Sequence, residues 1–322
     1  MRQIDCSGIK GFNYQPSYGS SGFEIWQYFS AETVDRELGA GKRFFPKMNA
    51  IRLWLSWESF RRNPALFAKD FETTLTVANR HKLRVMPVLF NRWHDAVLDY
   101  GGIYADHFIP GASWVQSDKM FHPFMEAAVG GHAADDRILA WDLCNEPFSY
   151  GKPPEELPDI VKAEYAWLEG LYRECKALKA RAPVTVGIHQ GHRLKGIEQI
   201  EPISDILSIH PYWTADRPPH RKEDYEKQLD DYVAFAARVR KPLLATETCW
   251  GSLDDRQRVE IIRYTLGELK KRKIGWLVYL LHHSLIADAH RPEYGPTGYA
   301  GNLAFIEADD TLRPGHDVFN EF

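Results

Sequence analysis

Long apolar runs, paired cysteines and charge of one sign are all scarce in this chain of 322 residues. No window approaches the roughly 20 apolar residues needed to span a bilayer. The opening MRQIDCSGIKGF also lacks an apolar stretch of signal-peptide length. A helical membrane protein is therefore excluded, and the cytoplasm is the expected compartment. The four cysteines, Cys6, Cys144, Cys175 and Cys249, are widely spread with none in a metal-type pair. They read as reduced thiols. Against 40 Lys and Arg stand 44 Asp and Glu, a net charge of -4 with no long run of either sign. Neither nucleic acid nor an acidic membrane surface is an expected partner, and nothing in the composition speaks to oligomeric state. Internal repeats and low-complexity linkers are missing too, so residues 1–322 read as one domain. A glycine-rich phosphate loop is absent: GFNYQPSYG stands after the first expected strand, which argues against an open nucleotide-binding sheet.

What is abundant is aromatic: 10 Trp, 15 Tyr and 17 Phe. Most read as large core side chains. Short β-rich runs alternate with helical patterns along the whole chain. Strands are expected at 8–14, 48–55, 84–90, 138–144, 184–189, 204–210, 242–248 and 274–281. Between them, apolar residues recur at helical spacing, as in Val161, Tyr165, Leu168, Tyr172 and Cys175, or Tyr225, Leu229, Tyr232, Ala236 and Val239. Ser252 with Asp255 three residues on predicts a capping box ahead of one such helix. Eight strands, each followed by a helix-sized segment, predict an α/β fold of the closed (β/α)8 TIM-barrel type, for which about 250 residues plus insertions is ordinary. Two long connections, 91–116 and 283–304, are of the length usually associated with function.

In such barrels the chemistry sits at the C-terminal ends of the strands. The polar residues expected there are Arg52 within strand two; Asn91, Trp93 and His94 after strand three; and Asn145 and Glu146 closing strand four. Next come His189 after strand five, His210, Tyr212 and Trp213 after six, Glu247 and Trp250 after seven, and His282 and His283 after eight. Glu146 and Glu247 can face one another across the barrel mouth. Glycosidic cleavage needs such a pair, one carboxyl protonated and one ionised. Separations of about 5–5.5 Å suit retention of configuration, and roughly 6.5–9.5 Å suit inversion.

WDLCNEP at 141–147, TET around Glu247, SIHPYW at 208–213 and IRLW at 51–54 together resemble the retaining glycoside hydrolases of the large (β/α)8 clan that contains family 5, the cellulases and β-mannanases. The resemblance implies Glu146 as general acid and base and Glu247 as nucleophile. It also implies Asn145 on the sugar 2-hydroxyl, Arg52 holding Glu247 ionised, and His210 and Tyr212 orienting the nucleophile. The implied substrate is a β-linked gluco- or manno-configured carbohydrate, cleaved without metal or organic cofactor. Two features depart from the pattern. Asn91 or His94 stands where cellulases carry a histidine-rich strand end, and His282 or His283 is expected at the height of the usual strand-eight tryptophan, since Trp276 comes too early. Trp93, Trp213 and Trp250 are candidate stacking platforms or packing residues. Competing expectations are a metal-dependent sugar isomerase or amidohydrolase using His189, His192, His210, Glu146 and Glu247, a barrel that binds carbohydrate without cleaving it, and a transglycosylase using the same residues.

Overall fold

The computed structural model describes residues 5–92, 102–111, 119–150, 152–215, 220–288 and 301–322. Eight parallel strands close into a barrel in chain order: β1 (Lys10–Asn13), β2 (Ala50–Trp54), β3 (Arg84–Asn91), β4 (Trp141–Asn145), β5 (Val184–His189), β6 (Leu207–His210), β7 (Leu243–Ala245) and β8 (Gly275–Val278). β8 closes the ring on β1, with Lys10 opposite Trp276 and Phe12 opposite Val278. The helices are α1 (Gly22–Gln27), α2 (Ala31–Phe44), α3 (Trp57–Arg62), α4 (Pro64–Arg80), α5 (His122–Met125), α6 (Pro158–Ala177), α7 (Arg193–Ile200), α8 (Lys222–Val239), α9 (Asp255–Lys271) and α10 (Leu285–Asp288). None of the described helices is long and apolar enough to cross a membrane.

All eight expected strands are present, most of them shorter than their apolar runs. Ile138 makes only an isolated bridge to Val85 before β4 begins, and past the end of β7 Thr246 N still donates to Ile209 O of β6 at 3.0 Å, with Glu247 following it. The strands read as nearly continuous apolar runs because both faces are covered: all five residues of β2 and of β4 are buried. The helices start where the sequence supplies oxygen caps. Ser30 accepts from Thr33 N, Ser56 from Ser59 N, and Asn63 from Leu66 N just ahead of Pro64. One expectation is corrected: α9 is capped by Asp254, which accepts from the amides of Arg256 and Gln257. Ser252 instead accepts from Asp254 N and donates to Gln257 Oε1, bracing the cap from one turn back. All four cysteines are free and buried.

Strand alternation sorts the core into layers. Outward residues such as Phe12, Ile51, Leu53, Trp141, Ile209 and Trp276 pack beneath the helices. Inward residues fill the barrel in tiers. The lowest is apolar, with Ile9, Ala50, Met86, Ala140, Ile206, Leu244 and Leu277. At the mouth stands an aromatic tier including Trp54, Tyr212 and Tyr279. Between them the barrel holds charge: Arg52 and Asp142 are both fully buried. An apolar plug below and aromatic walls above thus enclose an ionic centre, a low-dielectric setting in which unpaired charge is costly and paired charge is strongly directed.

Candidate active site

Arg52 organises the centre. It points inward from the middle of β2, and every polar atom of its guanidinium finds a partner. Nε and Nη2 donate to Asp142 Oδ2 at 3.0 and 2.8 Å, and Nη2 donates to Asn145 Oδ1 at 2.7 Å. Nη1 donates to Asn13 Oδ1 at 2.9 Å and to Glu247 Oε1 at 2.6 Å. One cation therefore ties together β1, β2, β4 and the end of β7. Asp142 receives two further hydrogen bonds, from the amides of Gly187 and Cys144. Burial raises the pKa of this carboxyl, and the four converging donors, Arg52 foremost, hold that rise back.

Glu146 reaches the mouth through a break in β4. Register shifts between Asp142 and Asn145, and Glu146 itself adopts φ 48°, a left-handed conformation uncommon for a residue with a side chain. Its amide still donates to Gly187 O at 2.8 Å, so the kink re-aims the side chain without freeing the backbone. Such irregularities at strand ends commonly redirect a functional side chain. Glu146 and Glu247 are only 3% and 6% exposed. One oxygen of each, together with a ring nitrogen of His210, lies within 4.8 Å of the others.

The two carboxyls have unequal company. Glu247 accepts from Arg52 on Oε1 and from Tyr212 OH on Oε2 at 2.8 Å. Among the described residues the Glu146 carboxyl meets only His210, Nδ1 to Oε1 at 2.6 Å. Burial raises both pKa values. For Glu146 the rise is large because the charge of Glu247 adds to burial; for Glu247 it is held back by Arg52 and the Tyr212 hydroxyl. The shared proton therefore resides on Glu146. Burial, with Arg52 nearby, lowers the His210 pKa well below its usual range, so the ring is neutral. A proton on His210 Nδ1 satisfies Glu146 Oε1, and Glu146 Oε2, which has no partner among the described residues, is left to carry the acidic proton toward the mouth.

Gly187 makes room for this packing. A Cβ there would stand 2.9 Å from His210 Nε2 and 3.1 Å from both Arg52 Nη2 and Asp142 Oδ2. A glycine in the interior of a strand marks such close approaches.

The other expected site residues divide. Asn145 and Asn91 join the centre, Asn145 Nδ2 donating to Asn91 Oδ1 at 3.0 Å. Trp250 packs edge-on against Tyr212, centroids 5.3 Å apart, at the mouth. Trp213 does not: its ring lies against Tyr264 of α9 at 4.6 Å and its indole N–H donates to His220 O. His282 is corrected outright. It is fully buried behind the barrel wall, with Nε2 on Asp310 Oδ1 at 2.9 Å and Nδ1 on His283 O. Tyr279 occupies the mouth instead, edge-on to Trp54 at 6.2 Å; the Tyr279–Leu280 peptide is cis. His189 and His192 stand with ring centroids 6.4 Å apart. Neither belongs to a group of three possible metal ligands among the described residues. His94, with Trp93, lies outside the described residues.

Asn13, Asp142, Gly187, Trp54 and Tyr279 belong to or border this cluster, and the sequence reading passed them over. Two carried a signal: an Asp within an otherwise apolar buried strand, and an Asn at the inward position closing β1.

No family model matches the chain. Over 174 residues, 52% of this chain and 36% of the relative, it is 24% identical to a mannan endo-1,4-beta-mannosidase A of Hypocrea jecorina. The matched region is thus little more than a third of that protein. Among solved structures, exo-beta-1,4-mannosidase Op5Man5 from an Opitutaceae bacterium superposes with a TM-score of 0.74 at 17% identity, over 99% of this chain and 62% of that one. Endoglucanase Cel5A from Thermotoga maritima gives 0.65 at 12%, covering 98% and 97%. The barrel is therefore the one on which these β-glycoside-cleaving proteins are built, with a buried acidic pair and its guanidinium at the mouth.

Proposed function

We propose that this chain is a retaining β-glycoside hydrolase acting on manno- or gluco-configured oligosaccharides. The observation that carries the proposal is the approach of Glu146 and Glu247 to within 4.8 Å with opposite environments. That spacing falls short of the roughly 6.5–9.5 Å over which an inverting pair activates a water, and suits attack by the enzyme itself. Glu247, held ionised by Arg52 and Tyr212, attacks the anomeric carbon; Glu146 gives its proton to the departing oxygen, then takes one from water to release the sugar. With Arg52 cationic, Asp142 and Glu247 anionic, and Glu146 and His210 neutral, the centre is net negative, as a cationic sugar transition state requires. Asn145, oriented by Arg52 and Asn91, stands beside the pair as a donor for the sugar 2-hydroxyl.

A metal-dependent reaction is the weaker reading. Glu146, His210 and Glu247 have ligand-like spacing, yet Arg52 already supplies positive charge at 2.6 Å from Glu247, and a second cation there would be repelled.

Proton NMR of the first-formed sugar tests the stereochemistry. The β-anomer is expected before mutarotation; an α-anomer from a β-glycoside would overturn the retaining assignment. Glu146→Ala tests the acid role. Natural oligosaccharides should lose roughly 10²- to 10⁴-fold in kcat/KM, while aryl glycosides with acidic phenols, which leave unaided, should lose far less. Equal losses across a leaving-group series would remove Glu146 from the acid role.

A further inference from the structure

Beyond the two carboxyls and their supports, the mouth holds one buried amide that the proposed mechanism does not use. Asn13 points into the barrel and bonds Arg52. Tyr14 points out and donates to Glu37 Oε2 of α2 at 2.7 Å. Its amide donates to Arg52 O at 2.8 Å, so the chain is still paired with β2 here. Gln15, next in the alternation, therefore points inward again, one tier above Asn13. The same step of two residues separates Arg52 from Trp54 and His210 from Tyr212, and those upper residues line the mouth.

Gln15 is 3% exposed. Its Oε1 accepts from Tyr279 OH at 3.1 Å, which fixes the amide's rotation and faces its NH2 group elsewhere. That NH2 has no hydrogen-bond partner among the described residues. Tyr279 itself feels the charge of Glu247 and, more weakly, of Glu146, so the Gln15–Tyr279 pair stands beside the carboxyls. A donor pair without a protein acceptor among the described residues, on a side chain only 3% exposed and beside the cluster of Trp54, Tyr212 and Tyr279, is free to donate to a ligand oxygen that replaces water there.

Resting on the glycosidase reading above, we infer that Gln15 is a specificity-determining residue: its side-chain NH2 donates to one hydroxyl, other than the 2-hydroxyl, of the sugar ring held at the Glu146–Glu247 pair. The Tyr279 hydroxyl positions that amide. A sugar lacking this hydroxyl, or presenting it in the opposite configuration, leaves the NH2 buried and unpaired, so the site discriminates by penalty as well as by attraction.

The test is a cycle between enzyme and substrate. kcat/KM is measured for a β-linked aryl glycoside and its 3-, 4- and 6-deoxy analogues, with the wild-type chain, Gln15→Ala and Gln15→Glu. The variants cancel the altered intrinsic reactivity of deoxy sugars. Wild type should penalise one analogue about 10- to 100-fold. In both variants that penalty should shrink to within about 3-fold of none while the others stay put. Gln15→Glu keeps the size and the acceptor for Tyr279 but removes the donor, so agreement between the two variants sets aside a cavity effect. Uniform losses across all analogues, or unchanged discrimination, would overturn the inference while leaving the glycosidase reading intact. Failure of the wild type to turn over any glycoside would sink both.

Discussion

Glu247→Ala is expected to lose about 10⁴-fold or more in kcat on aryl β-glycosides, roughly 5 kcal/mol of barrel-centred stabilisation of the transition state. Activity should partly return when azide is added. The structure says why both halves belong together. Removing the carboxylate leaves the Arg52 Nη1 and Tyr212 hydroxyl donors, which held Glu247 at 2.6 and 2.8 Å, facing a small cavity with positive charge at its base. A small anion fits the donors and approaches the anomeric carbon from the side the carboxylate used. The product is then a glycosyl azide of inverted configuration, recognisable by NMR. Folding should be little affected, because Arg52 retains Asp142, Asn13 and Asn145 as partners. An unchanged rate in Glu247→Ala would remove the nucleophile assignment. A folded, inactive variant that no anion rescues would point to a role for Glu247 in binding alone.

The fold was legible because parallel strands buried on both faces and amphipathic helices leave separate periodic signatures, and eight such pairs close naturally. The two glutamates were legible for a related reason: an acid ending a buried strand is anomalous unless it reacts or pairs. Other residues were hidden by geometry that sequence spacing does not state. The tryptophan expected at strand eight was sought by height alone, which put His282 or His283 at the site. Alternation decides otherwise. Leu277 faces the barrel interior and Trp276 and Val278 the helices, so Tyr279 is next to point inward, and His282 ends up behind the wall with Asp310. Trp276 is thus on the wrong face as well as too early. Gly187 was illegible for another cause. Its importance lies in a missing atom, and only the crowd of His210, Arg52 and Asp142 around it reveals that. The capping misassignment at α9 was local: Ser252 and Asp254 both offer oxygens within a turn, and loop geometry chose the nearer.

Arg52→Met should damage stability and chemistry separately, and a second substitution can divide them. The methionine matches the arginine stem but leaves Asp142 fully buried without its two guanidinium bonds. Breaking a buried pair from one side costs about 3–5 kcal/mol, a large share of a typical folding free energy of about 5–15 kcal/mol, so the melting temperature should fall steeply. Adding Asp142→Asn removes the orphaned charge and should restore much of the melting temperature. Activity should not follow. A fixed cation beside a carboxylate favours its charged form, so losing Arg52 raises the pKa of Glu247, which burial already pushes upward. Glu247 must be ionised to attack; the acid limb of the kcat/KM profile should therefore move to higher pH, by about 1–3 units. As Glu247 approaches Glu146 in proton affinity, the one shared proton divides between them, and a growing fraction of molecules carries it on the wrong oxygen. Thermal melts and pH profiles of Arg52→Met and Arg52→Met/Asp142→Asn check this. If the double variant recovers its melting temperature with an acid limb where the wild type has it, Arg52 serves the fold alone, and the nucleophile is kept ionised by Tyr212.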